Sequence, residues 1–411
     1  MLLKSTIRLV VEAQKESITR LQTSLPREAF ELLPELAAHI LIVSGIRRCG
    51  KSTLLFQLLR DKYKDALYLN FEDPRLYEFN KKDFTQLDEL IREGNYKVLL
   101  FDELQVIPEW EKYVRQKLDE QYKVVVTGSN ASLLSRELGT KLTGRHITKE
   151  LFPFSYTEYC SFIKEIPNYI NLENYLQSGG FPEFLKNKSE EILQTLFDDI
   201  LVRDIAVRYH IRDLKSLQRL ALYLVSNTGK LLTANRIKSL FEIASTSTMM
   251  EYLSHLEFAY LFSFVPKFSF SIRKQMINPR KVYAIDTGFI NANSSSFTED
   301  KGRKFENLIF LHLRRQEKEI YYFEEKGECD FVVFRKGSIF KVIQVCYDLS
   351  QSNLKRELDG LMAAIKFFQL KEGFIITPNQ KELMMIDNCT IHILPAHEWM
   401  ANATNLFPVK S

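Results

Sequence analysis

GIRRCGKST, residues 45–53, fits the pattern G-x4-G-K-[ST] in full. Its flanks matter as much as the match. HILIVSG (39–45) is a short apolar, β-branched run that ends in a turn, the pattern of a buried strand. STLLFQLLRDKY (52–63) is apolar at helical spacing. Glycines let backbone N–H groups converge on an anion, and the helix that follows adds the positive end of its dipole. Gly45, Ile46, Arg47, Arg48, Cys49, Gly50, Lys51, Ser52 and Thr53 therefore form a candidate cradle for the phosphates of a nucleotide, with ATP and ADP the expected ligands. Lys51 is expected at the β- and γ-phosphates and Ser52 on Mg2+. Arg47 and Arg48 either touch phosphate or raise the local positive field.

The class of nucleotide chemistry follows from NYKVLLFDELQVIP (95–108). Four apolar residues form a buried strand that ends in Asp102-Glu103. Asp102 is expected in the magnesium shell, and Glu103 is placed to polarise an attacking water. A small-molecule kinase has no use for that second acid, so hydrolysis is favoured. YKVVVTGSN (122–130) is a further strand ending in polar residues, where Ser129 or Asn130 is expected as a sensor of the γ-phosphate and Thr127 as a buried strand-end residue. DALYLNFEDPRL (65–76) is another strand, with Glu72 and Asp73 on the ligand side if the sheet is parallel. Short apolar strands alternating with amphipathic helices predict an α/β fold of parallel αβα type. Arg145, just before the strand-like HITKEL, is a candidate for stabilising γ-phosphate charge in its own or a neighbouring subunit, with Arg136 a weaker one.

GIRRCGKSTLL, LYLNFEDPR, VLLFDELQ, VVVTGSN and TGRHITKELFPFSYTEY, in this order, resemble a large group of prokaryotic AAA-superfamily ATPases. GGFPEF (179–184) and VRDIAVRYHI (202–211) are similar to the hinge of that group. The resemblance implies an AAA-like P-loop ATPase core over 1–160, a helical hinge or lid over 161–211, a winged-helix module over 212–290, and over 291–411 a small α/β domain resembling the PD-(D/E)XK restriction-endonuclease fold.

The residues of the second half support the same order. RDLKSLQRLALYLVSNTG, TANRIKSLFE and STSTMMEYLSHLEFAYLFSF read as three helices, and strand-like segments follow, an order that suits a winged helix-turn-helix. The third helix carries His255 between Glu251 and Glu257 and almost no positive charge, which is poor for reading DNA. VPKFSFSIRKQMINPRK (265–281) carries Lys267, Arg273, Lys274, Arg280 and Lys281 with no acid, and is expected to contact a DNA backbone. In the last domain Glu306 and Asp330 fit two positions of a nuclease metal site. The third position reads Gln344-Val345-Cys346 where Glu-x-Lys is expected, so the nuclease is predicted to be inactive. Lys341 or Lys355 would have to replace the missing lysine, and Cys346 has no evident histidine with which to act as a catalytic thiol.

Composition sets outer bounds. With 411 residues the chain exceeds one average domain, and 30 Phe and 18 Tyr supply core material. No apolar run approaches the roughly eighteen residues of a membrane span, which predicts a cytoplasmic chain with no membrane partner. The five cysteines are scattered and never in a CxxC spacing, so neither a disulfide framework nor a zinc site is indicated. A net charge of +4 permits nucleic-acid contact without requiring it. Two functions stay open: an ATPase whose hydrolysis drives domain motion on DNA, or a slow nucleotide-controlled switch that binds a protein partner, either of them a candidate homo-oligomer.

Overall fold

A computed structural model describes residues 2–20, 25–131, 142, 144–241, 243, 245–294 and 300–402. The chain divides into two compact units, 1–152 and 153–411. Among the described residues no helix is long and apolar enough to cross a membrane.

The first unit is built on five strands: β1 (Ile40–Ser44), β2 (Leu67–Asn70), β3 (Val98–Asp102), β4 (Lys123–Gly128) and β5 (His146–Glu150). They form one sheet in the order β2-β3-β4-β1-β5, and every pairing is parallel. Strands β1 and β3 are buried along their whole length, which is why they read as continuous apolar runs rather than alternating ones. Parallel strands need crossovers, supplied here by helices such as Phe84–Glu93 and Trp110–Asp119. Their apolar stripes meet the sheet through Phe84, Leu87, Ile91, Tyr113 and Val114. After β1 the chain crosses past the places of β4 and β3 to form β2 at the edge, then returns through β3 and β4, so the carboxyl ends of β1, β4 and β3 stand side by side. A parallel sheet places ligands at that edge.

The second unit opens with helices between Tyr156 and Asp199. The GGFPEF segment is a close-packed joint within it. Gly179 has φ +67°, and a Cβ there would meet Asp286 Oδ1 at 2.0 Å. The Gly180 N–H donates to Asp286 Oδ2 at 2.7 Å, and Asp286 caps the helix Thr287–Asn293. Then come the helix Leu214–Ser226, β6 (Leu231–Leu232), the helices Ala234–Leu240 and Thr246–Phe258, β7 (Phe262–Pro266) and β8 (Arg280–Ala284). Strand β8 lies between β6 and β7 in an antiparallel sheet. A short helix, Ile272–Ile277, occupies the β7–β8 connection.

The helix Lys301–Gln316 leads into a six-stranded sheet made of β9 (Glu319–Glu324), β10 (Glu328–Arg335), β11 (Ser338–Val345), β12 (Glu372–Thr377), β13 (Glu382–Ile386) and β14 (Cys389–Pro395). Its order is β13-β14-β12-β11-β10-β9. Strands β9, β10 and β11 run antiparallel, and β12 runs parallel to β11 after the crossover helix Leu354–Phe367. Leu361, Ile365, Val332 and Val342 join that helix to the sheet in one apolar cluster.

Candidate functional site

The loop between β1 and the helix Lys51–Gln57 is shaped by contacts that exclude larger side chains. A Cβ on Gly45 would meet the Leu151 carbonyl oxygen at 2.1 Å, and Gly50 has φ +103°, a conformation costly for any other residue. The Gly45 N–H donates to Gly128 O, and the Leu151 N–H donates to Ser44 O, so the strands on both sides of β1 hold its end. Arg27 braces the loop from outside the motif. Its buried guanidinium donates to Cys49 O at 2.6 Å and Phe152 O at 2.8 Å. The Cys49 thiol donates to Leu151 O, so its side chain is turned into the protein.

Lys51 Nζ sits inside the loop, 3.1 Å from Gly45 O, 3.3 Å from Ile46 O and 3.2 Å from Glu103 Oε1. Burial works to lower its pKa, but Glu103 and Asp102 outweigh it and the ammonium is held above its ordinary range. Asp102 is fully buried and raised, first by burial and then by the charge of Glu103. Hydrogen bonds from Ser52, Thr127 and Tyr68 oppose that rise. The Tyr68 hydroxyl donates to Asp102 Oδ2 at 2.8 Å. Glu103 is held below the ordinary glutamate range: burial opposes this, and Lys51, Gln105 and Arg47 overcome it. It therefore stays a carboxylate, able to accept a proton or orient a water.

Thr127 ties the two acids together. Its hydroxyl donates to Asp102 and accepts the Glu103 N–H at 2.9 Å. Glu103 itself adopts φ 51°, ψ 37°, an uncommon conformation for a non-glycine residue, which this bond to β4 helps to hold. Replacing Thr127 with Val should strand a buried N–H at a cost of about 1–3 kcal/mol in urea unfolding, with Thr127→Ser restoring most of it. Unchanged stability in the Val variant would show that the bridge holds nothing. Ser129 and Asn130 are buried just beyond β4, between the ends of β1 and β3. Arg47 forms a two-pronged ion pair with Glu72, at 3.1 and 3.4 Å. Arg48 is exposed and takes φ +62°.

Lys51, Ser52, Asp102, Glu103 and Thr127 thus meet at one edge of the sheet. Arg145 does not join them. Its carbonyl accepts the Ile40 N–H at the start of β1, and its guanidinium pairs with Asp119. The loop begins after Ser44, so a strand of roughly 15 Å separates Arg145 from the phosphate loop of its own chain. Action on its own γ-phosphate is excluded by that spacing. Arg136 lies outside the described residues. Arg27, Tyr68 and Gln105 escaped the sequence reading. Only Tyr68 carried a signal, since a hydroxyl inside a buried strand requires a partner.

With this geometry in view, the relatives are informative. Residues 37–160 match the family described as an AAA domain, and residues 170–300 match a domain of unknown function, DUF8612. The chain is 33% identical over 394 residues to the uncharacterized protein MJ1544 of Methanocaldococcus jannaschii, covering 88% of each. The chain belongs to the family of that archaeal protein. It is also 29% identical to an uncharacterized protein of Haemophilus influenzae, over 88% of this chain and 94% of that one. A solved DNA polymerase III gamma subunit-related protein of Thermotoga maritima shares 14% identity, with a TM-score of 0.25 over 61% of this chain and 99% of that one, too slight a likeness to argue from. The loop, β3 and β4 described above all fall inside the AAA domain.

In the second unit Glu306 and Asp330 come together, and the residue between them is unexpected. Lys281, assigned from sequence to a DNA-contacting segment, is buried with Nζ 3.1 Å from Glu306 Oε1 and 2.9 Å from Asp330 Oδ1. Lys267 pairs with Glu324. The 265–281 segment looked free of acids only because its acids come from β9, β10 and the helix Lys301–Gln316. Arg273 and Lys274 remain exposed, and Arg280 is half-buried. Lys341 lies three residues from Gln344 on β11, hence on the opposite face, and Lys355 is exposed, so neither replaces the missing lysine. Burial pushes the Cys346 thiol up to about 11, away from nucleophilic use.

Proposed function

We propose that this chain is an ATP-binding protein and a Mg2+-dependent ATP hydrolase of the AAA superfamily. The observation that carries the reading is the convergence of Lys51, Ser52, Asp102, Glu103 and Thr127 at the carboxyl ends of three adjacent strands. The phosphate loop N–H groups and Lys51 would hold the phosphate chain of ATP or ADP. Ser52 and Asp102, already hydrogen-bonded to each other, would hold Mg2+, which when bound supplies charge stabilisation to the phosphoryl oxygens. Glu103 orients the attacking water and takes its proton, while Lys51 keeps that carboxylate ionised. Ser129 and Asn130, buried between the ends of β1 and β3, would sense the γ-phosphate.

Arg145 fits a role in trans: at the far edge of its own sheet, it is available to the nucleotide of a neighbouring copy in a homo-oligomer. Arg145→Ala should lower turnover by roughly 10-fold or more with little change in ADP affinity. Mixed Lys51→Ala and Arg145→Ala chains should regain activity. If the mixture stays as inactive as its components, Arg145 serves only its pair with Asp119.

For the second unit, the order helix, strand, two helices and two strands, with β8 between β6 and β7, supports a winged helix. Helix, three antiparallel strands, crossover helix and parallel strand support a restriction-endonuclease-like fold that is inactive. Hydrolysis coupled to domain motion on DNA is the favoured use of the ATPase. Arg273, Lys274 and Arg280 are the backbone contacts that remain after Lys267 and Lys281 are paired internally. That loss of free cations is the observation that supports a second reading, a slow switch for a protein partner. Steady-state ATP hydrolysis with and without duplex DNA, at two salt concentrations, separates them. Salt-sensitive stimulation supports DNA coupling, and slow, indifferent turnover supports the switch.

A further inference from the structure

A nuclease-like frame raises the expectation of a divalent metal at Glu306 and Asp330, and the side chains present do not fit one. An ion held by both carboxylates would lie about 2.0–2.1 Å from oxygen for Mg2+. That space faces the Lys281 ammonium, which is 4% exposed and within 3.1 Å of both acids. Glu328 Oε1 is a third carboxylate on the same ammonium, at 2.9 Å. Two further donors reach the same pair of acids. Glu306 Oε1 accepts the Tyr283 hydroxyl at 2.6 Å, and Asp330 Oδ2 accepts the Val345 N–H at 3.0 Å. Gln344, at the third position of the nuclease pattern, donates to Glu357 Oε2 at 2.7 Å and accepts the Asp330 N–H at 3.3 Å. Glu306 Oε1 and both oxygens of Asp330 are thus already met by protein donors.

We infer that Lys281 is the built-in cation of this carboxylate pair, occupying with its own ammonium the place a divalent metal would take. The consequence is mechanical as well as chemical. Lys281 lies on β8 of the three-stranded sheet, while Glu306 lies on the helix that leads into the six-stranded sheet and Asp330 on its strand β10. The ammonium is therefore a buried cross-link between two layers of the second unit, one that needs no ion from solution. A buried charge whose partner is removed is left uncompensated, so the acids without Lys281 would face each other and demand a cation. The site is a latent metal site, closed by one residue. This inference does not depend on the ATPase reading.

The experiment measures Mn2+ binding to the nucleotide-free full-length chain by the loss of the free-Mn2+ electron paramagnetic resonance signal, together with thermal unfolding in Mn2+ or chelator. Binding at the cluster is the part that Asp330→Asn removes. The parent should have none, and its midpoint should not respond to Mn2+ through this site. Lys281→Met, which keeps length but not charge, should gain about one Mn2+ per chain and a Mn2+-dependent rise in midpoint, both lost in Lys281→Met/Asp330→Asn. Asp330-dependent Mn2+ binding by the parent would overturn the inference, and that comparison needs no Lys281 variant. So would a folded Lys281→Met chain that binds no additional ion.

Discussion

Glu103→Gln should lower ATP turnover by roughly 10²-fold or more while leaving ATP bound as tightly as before, or more tightly. The amide keeps the size of the side chain and can still accept a hydrogen bond from water, but it cannot take the proton. In the structure the Glu103 carboxylate is held ionised beside Lys51, and its backbone is pinned to Thr127. The loss is therefore of proton acceptance, with binding conserved. A factor of 10² corresponds to about 2.7 kcal/mol of transition-state stabilisation. Because burial is outweighed and the Glu103 pKa is depressed, the carboxylate is present above that depressed value and lost only as pH falls through it. The acid limb of parent turnover should consequently lie below the ordinary glutamate range. Single-turnover quench with labelled ATP, beside a fluorescent-nucleotide titration, makes the measurement. Parent-like hydrolysis by the Gln variant would remove Glu103 from the chemistry.

Lys51→Ala should weaken ATP and ADP binding by about 10²-fold or more. Charge-assisted hydrogen bonds to phosphate contribute roughly 1.5–3 kcal/mol each, and the ammonium has several donors. Of the other cations at the loop, Arg27 is bonded to the Cys49 and Phe152 carbonyls, Arg47 is paired with Glu72, and Arg48 is exposed, whereas Lys51 is buried within the loop. The substitution also strips Glu103 and Asp102 of their nearest cation, so the Glu103 carboxylate should lose part of its depression. Lys51→Met, which fills the same space, separates the two effects. Equal loss of nucleotide affinity in both variants assigns it to the charge, whereas recovery in Met assigns it to packing. Undiminished affinity in both would dissolve the phosphate-loop assignment. Calorimetric titration of ATP and ADP into each chain gives the answer.

The AAA-type first unit was legible because its elements are local. A buried parallel strand must be apolar from end to end, a glycine loop must carry its glycines at fixed offsets, and an acidic pair must stand at a strand end to meet phosphate. Those constraints act within ten or so residues, so β1, β3 and β4 and the roles expected of Lys51, Asp102 and Glu103 could be written from spacing alone. Strand β13 carries no such signal, because its outward residues Leu383 and Met385 are as apolar as the partly buried Met384 and Ile386.

Contacts distant in sequence decided the rest. Arg27 reaches Cys49 and Phe152 across 22 and 125 residues, and no local pattern marks it. Arg145 looked like a γ-phosphate partner beside its glycine, until the register of β5 against β1 put it at the opposite edge of the sheet. Lys281 read as one of five cations expected on a DNA backbone, and its true surroundings are acids 25 and 49 positions further along the chain. The sequence determined by itself the glycine loop and the acidic strand end on which the proposed nucleotide chemistry rests, since both sit in short motifs. Only the tertiary structure decided which charges are free to act. A charge is neutralised by whatever folding brings within a few ångströms, and proximity in space is not written in spacing along the chain.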